Sequence, residues 1–187
     1  MPRLFVGIPV PGECRDVLDE MARALAMGAG GALRKTRPEN FHLTLQSLGD
    51  TPYDRVQAVA EALASVEFNT FRLRPGPVGC LPDCRCPRVL YVGAEEGEAA
   101  CVDLANKVRD AMDAFGYERG RRFLPHLTLG RIKKPGEMDW AGLVAGCIKR
   151  SSAFAVDRLV LWQSELPPDG PIYSRLREYP AAGVLLR

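Results

Sequence analysis

The chain contains only two histidines, and each opens the same tetrapeptide, His-Leu-Thr-Leu, at His42 and at His126. Ordinary residue usage would repeat the three following residues on the order of once in a thousand cases. In an extended strand, residues two apart point to the same face. Each motif therefore presents an imidazole beside a hydroxyl, Thr44 or Thr128, and turns its leucines to the opposite face. Facing one another, the motifs would surround one small volume with four polar groups.

Two imidazoles around one volume are suited to concerted acid and base catalysis. An unperturbed pKa of roughly 6.5 lets one ring be neutral while the other is protonated near neutral pH. Threonine hydroxyls beside them can donate hydrogen bonds to phosphate oxygens as negative charge develops. The scheme needs no metal and no cofactor, and the pattern alone does not say which histidine is the acid. We expect a bell-shaped pH profile with apparent limbs around 5.5 to 8.

Basic residues flank both motifs in the sequence, which favours an anionic substrate over charges that only meet solvent. These residues are Arg34, Lys35 and Arg37 before the first motif, Arg119, Arg121 and Arg122 before the second, and Arg131, Lys133 and Lys134 after the second. The competing interpretation of the histidines is a structural role on edge strands. A matched pair makes that alternative less favoured than it is for one isolated histidine.

Composition places the chain among ordinary globular proteins. Its 187 residues carry 25 Lys plus Arg against 23 Asp plus Glu, a net charge of +2, and 47% are hydrophobic. These values exclude a disordered tail and a strongly basic nucleic-acid coat. Without a run of about 20 apolar residues or a signal peptide, we expect a soluble cytoplasmic protein.

Six cysteines are expected to be reduced thiols, because the chain is large enough to fold without disulfides and shows no export signal. Three of them, Cys80, Cys84 and Cys86, lie in a predicted loop from Pro75 to Pro87. A zinc site with Cys101 as fourth ligand is an alternative. It is disfavoured because the spacing lacks the second cysteine pair of a structural zinc site.

Strands and helices alternate without a regular period, which favours an α+β protein over a doubly wound one. Strand patterns cover Arg3–Val10, Asn40–Leu48, Phe68–Leu73, Arg88–Ala94, Pro125–Ile132, Phe154–Gln163 and Ile172–Leu176. Helical spacing covers Glu13–Met27, Pro52–Val66 with Thr51 as its N-cap, Glu98–Phe115 and Trp140–Ile148. Both motifs therefore fall on strands.

Four segments carry a resemblance to a known family. They are Arg3-Leu-Phe-Val-Gly-Ile-Pro-Val10, Arg37-Pro-Glu-Asn-Phe-His-Leu-Thr-Leu-Gln-Ser-Leu-Gly49, Pro87-Arg-Val-Leu-Tyr-Val-Gly93 and Phe123-Leu-Pro-His-Leu-Thr-Leu-Gly-Arg131. In register over nearly the whole chain, they resemble the RNA 2′,3′-cyclic phosphodiesterases. This is the LigT-like group, historically called 2′-5′ RNA ligases, of the two-histidine phosphoesterases.

The resemblance implies a bilobal α+β fold in which two pseudo-symmetric lobes, with antiparallel sheets and outer helices, enclose a central cleft. We expect one such domain over residues 1–187 and a monomer. The implied activity is metal-independent hydrolysis of a terminal 2′,3′-cyclic phosphate on RNA to a 2′-phosphomonoester, without a cofactor. Alternatives within the class are small cyclic phosphates of nucleotides or ADP-ribose, and reversible 2′-5′ ligation. A module that binds RNA ends without catalysis is the alternative outside it.

The resemblance also implies roles for individual residues. His42 matches the proton donor to the leaving 3′ oxygen, and His126 matches the acceptor that activates water. Thr44 and Thr128 match the hydroxyls that bind the phosphate. Further substrate contacts are expected from Phe41, Arg122 and Arg131.

Overall fold

The alternating segments form strands, and the segments with helical spacing form helices. A computed structural model describes residues 1–117, 123–134, 136, 138–168 and 170–184. Its strands are β1 (Arg3–Pro9), β2 (Leu33–Lys35), β3 (His42–Asp50), β4 (Phe71–Leu81), β5 (Val89–Glu96), β6 (His126–Ile132), β7 (Phe154–Val156), β8 (Arg158–Glu165) and β9 (Ile172–Pro180). Its α-helices are α1 (Gly12–Gly28), α2 (Tyr53–Leu63), α3 (Glu98–Met112) and α4 (Trp140–Ala145).

The described strands pair antiparallel throughout and follow the order β7-β4-β5-β6-β3-β1-β8-β9, with β2 attached to β6. The strands β3 and β6, which carry the two His-Leu-Thr-Leu motifs, are neighbours at the centre of this order. One lobe contains β3, β1, β8 and β9, and the other contains β6, β5, β4 and β7. The expected two-lobed α+β fold is confirmed.

The chain passes between the lobes more than once. It leaves the first lobe after β3, builds most of the second, and returns through β8 and β9. Helix α1 packs behind β6 of the second lobe, and α3 packs behind β3 of the first. None of the described helices is both long and apolar enough to cross a membrane.

Burial of leucines fixes which face of the central strands carries the motifs. Leu43, Leu45, Leu127 and Leu129 are all at most 2% exposed and pack in the core against the helices. Each buried leucine stabilises the fold by about 1.5–3 kcal/mol. A slip of either strand by one residue would expose its leucines, so the histidine and threonine side chains are held on the opposite face.

Two of the predicted strands have bounds that differ from the sequence-based expectation. Strand β4 continues through Pro75 and Pro77 to Leu81, and its pairing with β5 contains irregularities at this place. Bulges remove ladder hydrogen bonds locally, which is why prolines are accommodated there. The predicted strand Phe154–Gln163 is divided at Asp157 into β7 and β8, which lie in different lobes.

Thr51 does not cap α2, contrary to expectation. Pro52 occupies the N-cap position and makes no side-chain capping hydrogen bond. The Thr51 hydroxyl is fully buried and instead donates to the Gly49 carbonyl at 3.4 Å, with the Tyr117 hydroxyl 3.1 Å away. Thr51 therefore connects the end of β3 to the segment after α3.

The expectation of six reduced thiols is wrong for one pair, because Cys80 and Cys84 form a disulfide. The turn after β4 brings their Cα atoms to 5.1 Å, within the range that a disulfide spans. Cys86 is a free, exposed thiol, and the proposed fourth zinc ligand Cys101 is buried in α3. No group of three or more metal-binding side chains comes together within the described ranges.

Candidate active site

The two motifs meet at one antiparallel residue pair, Leu43 opposite Leu127. One step along this register in each direction places His42 across from Thr128 and Thr44 across from His126. All four side chains line one cavity of about 640 Å³ between the lobes. The structure thus brings the four predicted residues together on one face.

Both imidazoles are held in the same way. The Nδ1 of His42 donates to the Asn40 carbonyl at 2.8 Å, and the Nδ1 of His126 donates to the Leu124 carbonyl at 2.8 Å. In each case the acceptor lies two residues before the histidine. Because a carbonyl oxygen only accepts, Nδ1 carries the proton and Nε2 is left for proton transfer. The Nε2 of His42 lies 3.0 Å from the Thr44 hydroxyl.

The surroundings of the two histidines differ. Three aromatic rings enclose His42, with centroid distances of 4.6 Å to Phe5, 5.7 Å to Trp162 and 5.1 Å to Tyr173. His126 has one described aromatic neighbour, Tyr91, whose ring lies edge-on at 5.7 Å.

The aromatic enclosure changes the acidity of His42. Burial lowers the pKa of His42 to about 4, since a charged imidazolium loses its hydration there. The hydrogen bond to Asn40 opposes this effect, while the charges of His126 and Arg131 add to it. His42 is therefore neutral at pH 7 in the unliganded protein.

An irregularity in β6 aims Arg131 into the cavity. Thr128 pairs with Tyr91 and Gly130 pairs with Leu90, so β6 has one more residue than β5 between these pairs. Arg131 lies three positions after Thr128, and strict alternation would place it on the leucine face. The bulge restores it to the cavity, whose lining includes the Arg131 side chain.

Of the predicted substrate contacts besides Arg131, the structure describes Phe41 but not Arg122. Phe41 is 4% exposed and packs in the core, because it precedes His42 in the strand direction and points to the opposite face. This expectation is wrong. Arg122 lies outside the described residues, as do Arg119 and Arg121.

The basic residues that flank the two motifs divide by role. Arg34, Lys35 and Arg37 line the cavity, whereas Lys133 and Lys134 do not. Lys35 forms an ion pair with Asp19 at 2.7 Å. Burial alone would raise the pKa of Asp19, but the hydrogen bonds and charges of Lys35 and Arg23 hold it below its ordinary value.

Sequence reasoning missed several residues around the cavity. Phe5 could have been identified from the sequence, because it alternates with the buried Leu4 and Val6 and therefore faces the motif side of the sheet. No local pattern identifies Tyr173 or Asn40. The return of the chain to the first lobe places Tyr173 beside His42 and Pro171 beside Asn40.

The arrangement can hold a phosphate and transfer protons on two sides of it. Hydroxyls of Thr44 and Thr128 can donate to non-bridging oxygens, and Arg131 can offset the negative charge. The Nε2 atoms of the two histidines approach from opposite motifs. One can accept a proton while the other donates one, as hydrolysis of a phosphodiester requires.

Comparison with known proteins agrees with this geometry. The family model described as LigT-like phosphoesterase matches residues 8–91 and 92–173, and each match contains one His-Leu-Thr-Leu motif. The chain is 32% identical over 182 residues to the RNA 2′,3′-cyclic phosphodiesterase of Archaeoglobus fulgidus, covering 95% of this chain and 99% of that one. It is 30% identical to the Thermotoga maritima protein of the same name, covering 99% and 98%.

Solved structures share the fold. The crystal structure of TT0787 from Thermus thermophilus has a TM-score of 0.78 at 28% identity, covering 97% of this chain and 98% of that one. Escherichia coli LigT in complex with 3′-AMP has a TM-score of 0.77 at 23% identity, with 97% and 99% covered. With two consecutive family matches, each bringing one histidine motif to a shared cavity, this chain belongs to the LigT-like phosphoesterase family.

Proposed function

We propose that this chain is an RNA 2′,3′-cyclic phosphodiesterase that opens a terminal cyclic phosphate to a 2′-phosphomonoester. The observation that carries the proposal is the Leu43–Leu127 pairing, which sets two histidines and two threonines around one cavity. Membership in the LigT-like family and relatives named RNA 2′,3′-cyclic phosphodiesterase support the same activity.

In the proposed reaction, His126 accepts a proton from water and the water oxygen attacks phosphorus. The bond between phosphorus and the 3′ oxygen breaks, and His42 donates a proton to that oxygen. The products are a 2′-phosphomonoester and a free 3′ hydroxyl. His42 is then neutral and His126 protonated, and exchange with solvent restores both.

The low pKa of His42 has a consequence for its role as donor. The unliganded protein holds this residue neutral, so the donor role requires that substrate raise its pKa. A phosphodiester carries one negative charge, which favours the imidazolium form when it replaces water beside the ring. Binding of the anion and protonation of His42 are thus coupled.

Thr44 and Thr128 are proposed to bind the two non-bridging phosphate oxygens. Arg131 is proposed to offset the negative charge that develops on them. Hydrogen bonds of this kind strengthen as charge moves onto phosphate oxygens. The bulge in β6 supports the proposal for Arg131, since it turns the guanidinium toward the motifs.

The deciding experiment is turnover of a short oligoribonucleotide ending in a 2′,3′-cyclic phosphate, with EDTA present and the position of the product phosphate determined. We expect a 2′-phosphate and no loss of rate with EDTA. A double variant, His42→Ala with His126→Ala, purified in parallel, controls for contaminating nucleases. A 3′-phosphate product, or binding without turnover, would contradict the proposal.

The same assay separates the alternatives. Turnover of a nucleoside or ADP-ribose cyclic phosphate but not of RNA would point to small substrates, and joining of 2′-phosphate ends would reveal reverse ligation. We also propose a monomeric, cytoplasmic enzyme with a single domain over residues 1–187. The presence of both motifs in one chain, and the return of β8 and β9 to the first lobe, support the single domain and the monomer.

A further inference from the structure

The cavity extends beyond the four motif residues. Its volume of about 640 Å³ lies within the range of sites that enclose a drug-sized ligand, whereas the motifs can contact only the terminal phosphate. It is also lined by Arg34 of β2, and by Arg3 and Ser164, which pair at the end of β1 opposite to the end that pairs with His42. Part of the cavity is therefore available to the rest of the substrate.

The position of Arg34 is set by the short strand β2. Arg34 pairs directly with Arg131 of β6, so both side chains leave the sheet on the same face. A Cβ at Gly130 would lie 2.9 Å from the Arg34 carbonyl oxygen. Glycine at this position therefore permits the close approach of β2 that delivers Arg34 to the cavity.

A second glycine makes room for the guanidinium. Gly170 has φ +118°, in the region that favours glycine, and a Cβ there would overlap Nη2 of Arg34. The Arg34 side chain thus lies against the backbone of the segment between β8 and β9. The backbone of Arg34 is thus set by β6, and its guanidinium by the contact with Gly170.

The charge of Arg34 is not offset by the described part of the chain. No described carboxylate forms an ion pair with Arg34 or Arg131. The adjacent Lys35, in contrast, is paired with Asp19. Two adjacent exposed arginines with no acidic partner among the described residues repel one another, and an anion between or beside them relieves that repulsion.

We propose that Arg34 forms a second anion subsite, which binds the phosphodiester on the 5′ side of the terminal nucleotide. This inference rests on the proposed function and names its substrate class: an RNA strand of two or more nucleotides, in preference to a nucleoside cyclic phosphate. The terminal cyclic phosphate lies among the motif residues while the preceding phosphate lies at Arg34.

The test compares three substrates: a nucleoside 2′,3′-cyclic phosphate, a dinucleotide with the same cyclic end, and that dinucleotide with a neutral methylphosphonate linkage. We expect the charged dinucleotide to have a kcat/KM about tenfold above the other two, the effect of one hydrogen bond to a charged group. In Arg34→Gln this advantage should fall to about twofold or less.

Matched variants separate a local contact from general electrostatic attraction. Arg55→Gln removes the same charge from the exposed face of α2, outside the cavity, and should keep the wild-type ratio. Arg3→Gln probes the opposite end. Equal kcat/KM for the charged and neutral dinucleotides, or loss of the advantage in Arg3→Gln rather than Arg34→Gln, would overturn the subsite. Failure of all three substrates would instead overturn the proposed function.

Discussion

The side-chain amide of Asn40 donates to the Pro171 carbonyl at 2.8 Å, while the Asn40 backbone carbonyl accepts the Nδ1 proton of His42 at 2.8 Å. One buried residue thus joins the start of β9 to the first histidine. His42 is oriented by a carbonyl whose position depends on a hydrogen bond to another segment.

Asn40→Ala should therefore lower both stability and catalysis. The unpaired Pro171 carbonyl is expected to reduce the free energy of unfolding by about 1–3 kcal/mol. Misplacement of His42 should reduce kcat more than it raises KM. Urea unfolding and steady-state kinetics measure the two effects. Asn106→Ala, on the exposed face of α3, is the control. A loss of stability with unchanged kcat would leave Asn40 without a role in positioning.

Replacement of either histidine tests the acid and base assignment. His42→Ala and His126→Ala should each reduce turnover by about 10²- to 10⁴-fold while the fold persists. A cyclic substrate with sulfur in place of the 3′ oxygen has a leaving group that needs little protonation. On it, His42→Ala should recover most of its loss and His126→Ala should not. The reverse pattern would exchange the two roles.

The threonines are tested by a change that keeps shape and removes only the donor. Thr44→Val and Thr128→Val are each expected to reduce kcat by about ten- to a thousandfold, since the hydrogen bond strengthens in the transition state. Because Thr44 also contacts His42 at 3.0 Å, its variant should alter the pH profile as well. Wild-type rates in both variants would remove the hydroxyls from the mechanism.

The enclosed position of His42 moves the expected pH profile below the range inferred from unperturbed histidines. Its pKa of about 4 should appear as the acidic limb of kcat/KM, because a bell reports the lower pKa of the pair whichever residue is the acid. Below this pH the site holds an extra proton, and the rate falls. The kcat profile should have a higher acidic limb, since the bound anion favours imidazolium.

A variant with a more open cavity tests whether burial causes the low pKa of His42. Phe5→Ala admits water beside His42, so its pKa and the acidic limb should rise toward 6.5. With only two histidines in the chain, NMR titration resolves each ring, and His126→Gln assigns them. A His42 resonance that titrates near 6.5 in the wild type would contradict the effect of burial.

The disulfide gives a prediction about stability rather than activity. Under denaturing, non-reducing conditions, alkylation should modify four cysteines and leave the pair Cys80–Cys84. Cys84→Ser should reduce the free energy of unfolding by about 2 kcal/mol, as expected for a loop this short. Since neither residue lines the cavity, kcat should stay within about twofold. Modification of all six cysteines would contradict the disulfide and support the reduced state inferred from the sequence.

Local pattern predicted the centre of the site because strand alternation determines both the burial of leucines and the exposure of His and Thr. The same rule, applied one residue earlier, shows that Phe41 must face the core, although it was expected to contact substrate. Charge clustering and the resemblance both singled out Arg131, but its orientation depends on a bulge that alternation does not reveal.

Features that depend on distant parts of the chain left little trace in the sequence. Strand β2 has three residues, too few for a period to appear, and exists because Gly130 lets it approach β6. The segment Pro75 to Pro77 resembles a loop, but pairing with β5 on one side holds it in a strand. The cage around His42 needs Trp162 and Tyr173, which are more than a hundred residues away.

The return of β8 and β9 to the first lobe imposes an order on assembly during synthesis. Of the described strands β1 is made first, yet its outer edge pairs with Val160–Ser164 of β8, which is made after all of the others except β9. Until then the nascent chain presents an unpaired strand edge, the kind of surface that promotes aggregation. The imidazole of His42 also stays hydrated until Trp162 and Tyr173 pack around it. Catalytic competence is thus acquired only after β8 and β9 have been made, however early His42 is made.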